Sequence, residues 1–229
     1  MKQFSKQTVI ISVGGSLIVP EKIDITFLRE FKRIILSFLP QHRFVLICGG
    51  GRTARNYQEA ARALGPLTSE DADWIGIHAT RVNAQLLRTL FRQQAHPRII
   101  TDPTEKIRFK EKILIAAGWK PGFSTDYDAV LIAEQLQAKT IINLSNIDYV
   151  YDKDPRVHKD ARAYTDISWK KFRSLIPKTW SPGLSSPFDP IASKHASRLG
   201  IIVAIINGKK LENLHKYLKG KPFIGTIIS

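Results

Sequence analysis

Apolar positions along the 229-residue chain follow two alternating rhythms. Short runs rich in Val, Ile and Leu, at 8–13, 43–48, 113–116, 139–144, 201–206 and 223–228, are each bounded by glycine, proline or polar turn residues, as strands buried on both faces are. A seventh run, 98–101, reads the same way. Between them the apolar residues recur at helical spacing. Asp24 or Thr26 caps a helix to about 39, with Phe27, Leu28, Phe31, Ile34, Ile35 and Phe38 on one face. Further helices are predicted over 53–64, 70–91, 126–137, 168–176 and 211–218. Helix 70–91 turns Trp74, Ile77, Val82, Leu86, Leu87 and Leu90 inward, and helix 126–137 turns Val130, Ile132, Ala133 and Leu136. Asp189 before Pro190 is cap-then-proline chemistry and opens a helix to 199. The proline- and serine-rich stretch 177–187 is the segment expected to be mobile. No internal repeat or low-complexity tract is present.

Strands alternating with helices imply an α/β fold whose mainly parallel sheet is covered on both faces. Ligands of such folds bind at the carboxyl ends of the strands. Four glycine- or oxygen-rich loops fall at that end: 14–16, 49–55, 118–125 and 145–154. The second is the most distinctive. There a strand ends in Gly49, Gly50 and Gly51, and a helix bearing Arg52 and Arg55 follows. Glycine lets a phosphate approach the backbone, a helix start offers unpaired N–H groups, and Arg55 supplies a planar fork for phosphate oxygens. A plain tight turn is the alternative, but one glycine suffices for that. In the fourth loop the many Asn and Asp residues suit either turn chemistry or contacts to a nucleotide and to magnesium-bound water. Asp73 and Arg81 lie on the long helix, as solvated charges or as ligand contacts. No loop has the Walker A pattern or a dinucleotide fingerprint.

Composition narrows the picture. The length suits one large α/β domain or two closely joined lobes. A single cysteine, Cys48, excludes an intrachain disulfide and makes a reducing, cytoplasmic setting the expectation. At the end of an apolar strand it reads as a small buried hydrophobe. No apolar run approaches membrane-spanning length, so no membrane partner is expected. A formal charge of +15 raises nucleic acid as a partner. The charge is spread over 29–33, 106–112, 156–171 and 209–221, without zinc-finger spacing, an aromatic RNA-binding signature or a basic tail. Such a surface would attract any phosphorylated ligand, a nucleotide included; its sign narrows the ligand class without choosing within it, and nucleic acid is not the partner expected.

The series GGSLIVPE, CGGGRTAR, DWIGIHATRVNA, PGFSTDYDAVLIAE, SNIDYVYDKDP, FDPIAS and GTIIS runs through nearly the whole chain. In that order it resembles the amino acid kinase superfamily and, within it, the archaeal-type uridylate kinases. The resemblance implies a single domain with a three-layer α/β/α sandwich. A phosphate-acceptor lobe would span about 1–137 and an ATP lobe about 138–229. It also implies ATP as donor, Mg²⁺, UMP as acceptor, and a homo-oligomer, usually a hexamer. Position by position, Gly15 and Ser16 match the loop against the ATP phosphates. Gly50 matches a contact to the acceptor's phosphate, and Gly51 and Arg55 match residues near the phosphates in transfer. Asp73 matches the acid that binds the acceptor's ribose. The segment Trp119, Lys120, Pro121, Gly122, Phe123, Ser124 and Thr125 matches the loop that wraps the acceptor. Ser145, Asn146, Tyr151 and Asp154 match the ATP loop. No residue is assigned as a direct metal ligand.

Three positions depart from the pattern. Ser12 stands where many members carry a phosphate-binding lysine, as in archaeal-type uridylate kinases that also lack it, which leaves the donor charge to Arg55, magnesium and Lys120. Ala117-Gly118-Trp119 replaces Gly-Gly-Thr, and Tyr149 replaces a glycine. The implied activity is transfer of the ATP γ-phosphoryl group to UMP. The alternatives are a kinase of the same superfamily with another acceptor, a non-catalytic nucleotide- or oxyanion-binding protein, and a nucleic-acid binder suggested by charge alone.

Overall fold

A computed structural model describes residues 7–179 and 186–229. The strands are β1 (Gln7–Val13), β2 (His42–Cys48), β3 (Ile113–Ala116), β4 (Thr140–Ser145), β5 (Val150–Tyr151), β6 (Ala163–Tyr164), β7 (Asp166–Ile167), β8 (Ile202–Asn207) and β9 (Thr226–Ile228). The helices are α1 (Gly15–Ile18), α2 (Ile25–Phe38), α3 (Gly51–Leu64), α4 (Ser69–Leu90), α5 (Thr125–Gln135), α6 (Trp169–Leu175), α7 (Pro190–Leu199) and α8 (Leu211–Leu218). Seven strands form one sheet in the order β3-β2-β1-β4-β8-β9-β7, and β5 pairs with β6 as a separate ribbon. The first five run parallel, while β9 lies antiparallel to β8 and carries β7 parallel to itself.

The chain moves outward from β1 to β2 and β3, then returns to the other side of β1 as β4. This reversal opens a crevice at the carboxyl ends. Register aligns those ends: Val13 faces both Cys48 and Leu144, Ile47 faces Ala116, and Ser145 faces Asn207. All four loops singled out from the sequence therefore leave the same edge.

Strand side chains alternate between two cores. Val9, Ile11 and Val13 pack with Phe27, Phe31 and Ile35 of α2 and Leu87 of α4, whereas Ile10, Val45 and Ile47 pack with Val130 and Ile132 of α5 and Ala192 of α7. Parallel strands buried on both faces explain why the runs read as continuously apolar. Cys48 is fully buried, and desolvation pushes its thiol well up, as expected of a packing residue.

Several expectations need correction. Asp24, not Thr26, caps α2, its carboxylate accepting from the Phe27 N–H at 2.8 Å. Residues 98–101 make only an isolated bridge, Ile100 to Ala116, and remain partly exposed. On α4, Trp74 is 38% exposed and Val82 64% exposed; the buried positions include Ile77, Thr80, Asn83, Ala84 and Leu87. Polar residues on the inward face had masked the true stripe. Within the oxygen-rich loop 145–155 lies β5, too short for a periodic signal. The last strand begins at Thr226 rather than at 223. Of the stretch expected to be mobile, residues 180–185 lie outside the described residues.

Candidate active site

The first two glycine loops interlock. A Cβ on Gly15 would collide with the Gly51 nitrogen and would lie 2.6 Å from the carbonyl carbon of Gly49. Gly51 adopts φ +65° as the first residue of α3, and a Cβ there would strike the Gly15 carbonyl. Only glycine permits two backbones at this distance and a left-handed start to the helix. Gly50 occupies the N-cap of α3 without a side-chain cap; the Arg52 N–H is taken by the Val19 carbonyl at 2.9 Å, and the remaining N–H groups of the helix start are the ones a ligand can reach. Arg55 lies on the exposed side of α3, and its guanidinium has no partner among the described residues.

Helix α4 anchors this loop and the acceptor loop together. Asn83, buried, donates to the carbonyls of Gly49 and Gly50 at 2.8 and 3.2 Å. Thr80 accepts from the Gly118 N–H at 2.8 Å while its own hydroxyl donates to the Ile77 carbonyl. Asp73, two turns earlier, accepts from the Gly122 N–H at 2.8 Å. Desolvation raises the Asp73 pKa, with the Gly122 bond opposing it. The acceptor loop is thus strapped along α4 at both ends.

Within that loop the aromatic side chains form a row. Trp119, Phe123 and Tyr127 follow one another at 5.2 and 5.1 Å between ring centroids. The Trp119 backbone N–H donates to Asp128 at 3.3 Å, and its backbone carbonyl accepts from Arg81 at 3.3 Å. Lys120 does not turn toward the glycine loops; its ammonium lies 3.9 Å from the Trp119 ring centroid. Gly122 is in the left-handed region, φ +87°. Pro121 precedes it, and Ser124 caps α5, whose first residue is Thr125, by accepting from the Tyr127 N–H at 3.2 Å.

Below the crevice lies a group of carboxylates that sequence reasoning did not assign to the site. Asp126 accepts from Ser12 Oγ at 3.1 Å and from the Asp189 N–H at 3.2 Å, and Asn143 Nδ2 stands 3.4 Å away. Burial, then the neighbouring Asp189 charge, pushes Asp126 up to about 7. Asp189 caps α7 through one oxygen, accepting from Ala192 N–H at 2.7 Å; its other oxygen is buried without a hydrogen-bond partner among the described residues. Asp128 is pushed up to about 8 by burial, and one of its oxygens is also unpartnered. The available signal was two acids at the start of an otherwise apolar helix, Asp126 and Asp128. Asp189 was read for its capping role alone.

On the donor side, Ser145 ends β4 and its carbonyl accepts from the Gly208 N–H at 2.8 Å. Asn146 is exposed beside it. Asp148 links this loop to the turn after β8, accepting from Asn207 Nδ2 at 2.9 Å and from Lys210 at 2.8 Å. Tyr151 lies on β5 with Tyr149 edge-on at 6.3 Å. Asp154 is engaged by the Arg156 guanidinium at 2.8 and 3.1 Å, and those bonds hold its carboxyl down near about 2. The structure therefore brings Gly15, Ser16, Gly50, Gly51, Asp73 and the acceptor loop to one crevice, with Ser145 adjoining. Asp154 stands off on an exposed turn, committed to arginine.

The sequence profile of the amino acid kinase family matches residues 7–207. A uridylate kinase of Thermococcus sibiricus is 34% identical over 223 residues, covering 96% of this chain and 98% of its own. The crystal structure of uridylate kinase from Archaeoglobus fulgidus superposes with a TM-score of 0.81 at 33% identity, over 96% of this chain and 99% of that one. That of the UMP kinase from Ureaplasma parvum shares the fold, TM-score 0.80, at 21% identity, over 99% and 100% of the two chains. With that match across most of its length, the chain belongs to the amino acid kinase family.

Proposed function

We propose that the protein is an ATP-dependent uridylate kinase that transfers the γ-phosphoryl group of ATP to the 5′-phosphate of UMP, giving UDP. The observation that carries this reading is the strapping of the acceptor loop along α4, where Asp73 holds Gly122 beside the interlocked glycine loops. One edge of the crevice then offers N–H groups for phosphates, and the other a carboxylate with an oxygen to spare for ribose hydroxyls. The near-full-length likeness to uridylate kinases supports the same choice.

The attacking oxygen belongs to an ionised phosphate, so catalysis reduces to alignment and charge neutralisation. The helix start at Gly50 and Gly51 receives phosphate oxygens, and Arg55 closes on the group in transfer. Residues 145–154 take the donor's nucleoside. Among the described residues no cluster of three or more metal-binding side chains occurs. Asp126 and Asp189, together with substrate phosphates, would suit a magnesium ion, since one buried oxygen of Asp189 has no hydrogen-bond partner among the described residues. Bound there, magnesium would neutralise developing phosphate charge. The protein works in the cytoplasm as a homo-oligomer on free nucleotides.

A different acceptor is the second reading, favoured by one observation: the Trp119 indole occupies the acceptor loop. Phosphorus NMR of ATP, UMP and Mg²⁺ incubated with the protein tests both. UDP signals growing as ATP is lost are expected. ATP that stays intact with UMP while being consumed with another acceptor moves the function to the second reading.

A further inference from the structure

We infer that Lys209, together with Ser16, forms a phosphate subsite for the donor nucleotide at the mouth of the cavity between α2 and α8. The kinase reading supplies the ligand; the geometry supplies the place. This cavity, about 550 Å³, is lined by Ser16 and by Gly208 and Lys209 in the turn from β8 to α8, with Asp24 and Glu30 also in its wall. Phe27, Ile34 and Leu211 form apolar wall behind them.

The turn is fixed from three directions. Its Gly208 N–H donates to the Ser145 carbonyl at 2.8 Å, tying it to the donor loop. The Lys209 N–H donates to Asn207 Oδ1 at 2.9 Å. Gly208 packs directly on α1, where an added Cβ would meet the tip of the Leu17 side chain, and the residue after it, Lys209, lines the cavity with Ser16. Lys209 thus lines one cavity with Ser16 and directly follows the residue bonded to Ser145, and the family resemblance assigns both serines to the donor.

Charge points the same way. Moving a phosphoryl group gathers negative charge that cations must meet. Most cations around the crevice are already engaged. Arg52 pairs with Glu59 at 3.3 Å, Lys120 lies on the Trp119 ring, and Lys210 holds Asp148 at 2.8 Å. In the cavity itself Arg33 pairs with Glu30 at 2.6 Å. The Lys209 ammonium has no hydrogen bond or ion pair among the described residues, although Glu212 lines the same cavity. A lysine at this place acts as a flexible point charge for phosphate.

Calorimetric binding of ATP and of adenosine to the full chain, wild type, Lys209→Met and Lys209→Arg, tests the subsite. Lys209→Met should weaken ATP about tenfold, leave adenosine within about twofold, and be largely rescued by Lys209→Arg. Equal loss for ATP and adenosine would make Lys209 a structural residue, and unchanged ATP affinity would remove it from the site; either overturns the inference. Wild-type protein that binds ATP without phosphorylating UMP sinks the kinase reading and leaves the subsite standing. Wild-type protein that phosphorylates UMP, with Lys209→Met binding ATP equally well, does the reverse. A wild type that binds no ATP overturns both.

Discussion

Arg55 and Asp73 are expected to fail differently when changed. Arg55 has no partner among the described residues, so its removal disturbs no folded contact. Arg55→Ala should lower kcat by about a hundredfold or more if the guanidinium meets charge in the transition state, while the protein unfolds at an unchanged denaturant concentration. A kcat within about threefold of wild type would take Arg55 out of the transfer step. Asp73→Asn should instead raise the KM for UMP more than it lowers kcat, since the amide can no longer accept both the Gly122 N–H and a ribose hydroxyl as a charged group does. An unchanged KM would exclude Asp73 from acceptor binding. For the magnesium pair, Mn²⁺ bound in the presence of ATP, read by electron paramagnetic resonance, should weaken in Asp189→Asn. At this scale, residues whose role is set by neighbours in sequence were legible: Asp24 and Asp189 as caps, and the glycines as close-approach backbone. Thr80, Asn83, Asp126 and Asp128 were not. Thr80, Asn83 and Asp126 act through groups dozens of residues away, such as Gly118 for Thr80 and Ser12 for Asp126, and Asp128 through its burial and the Trp119 N–H nine residues before it.

Helices α4 and α5 hold the crevice together, and both can be tested through stability. Asn83→Ala removes the buried amide that donates to the Gly49 and Gly50 carbonyls, leaving Gly50 with only the longer 3.4 Å bond from the Ala54 N–H, which should cost about 1–3 kcal/mol in urea unfolding and loosen the phosphate loop. A variant as stable and as active as wild type would remove that anchoring role. In α5, burial pushes Asp128 up to about 8. A carboxyl whose folded pKa exceeds its unfolded value of about 4 keeps its proton in the native state after the unfolded chain has released it, so stability falls as pH rises between the two values. His42, whose pKa burial lowers, contributes a slope of the opposite sign. That contribution cancels when wild type is compared with Asp128→Asn. The stability of the variant relative to wild type should increase by a few kcal/mol between about pH 5 and about pH 8. A constant difference would mean that Asp128 ionises normally in the fold. Helical apolar spacing made α2 legible, and continuous apolar runs did the same for the five parallel strands. Such patterning failed for α4, where buried Thr80 and Asn83 break the stripe while Trp74 and Val82 carry apolar surface outward. It also failed for β5, β6 and β7, each two residues long.

Across the whole molecule, exposed apolar side chains on α3 and α4 accompany the proposed homo-oligomer: Tyr57, Leu64, Trp74 and Val82, with Leu64 90% exposed. Sedimentation velocity should give a mass several times the 25.9 kDa of one chain, and Val82→Asp should reduce it. A monomeric wild type would contradict this. A net charge of +15 should favour the approach of anionic ligands, an effect expected to weaken with added salt. The α/β architecture followed from alternation of strands and helices, and the edge carrying the site followed from where the glycine loops fall. The identity of the acceptor did not, because Trp119 alters the loop that decides it. The most direct test is ADP release with ATP and Mg²⁺ across UMP, CMP, dUMP, AMP, GMP and small carboxylated or phosphorylated acceptors. Turnover with UMP far above every other acceptor is the predicted result. No turnover with any acceptor, in protein that binds ATP, would contradict the assignment and leave a nucleotide-binding protein in its place.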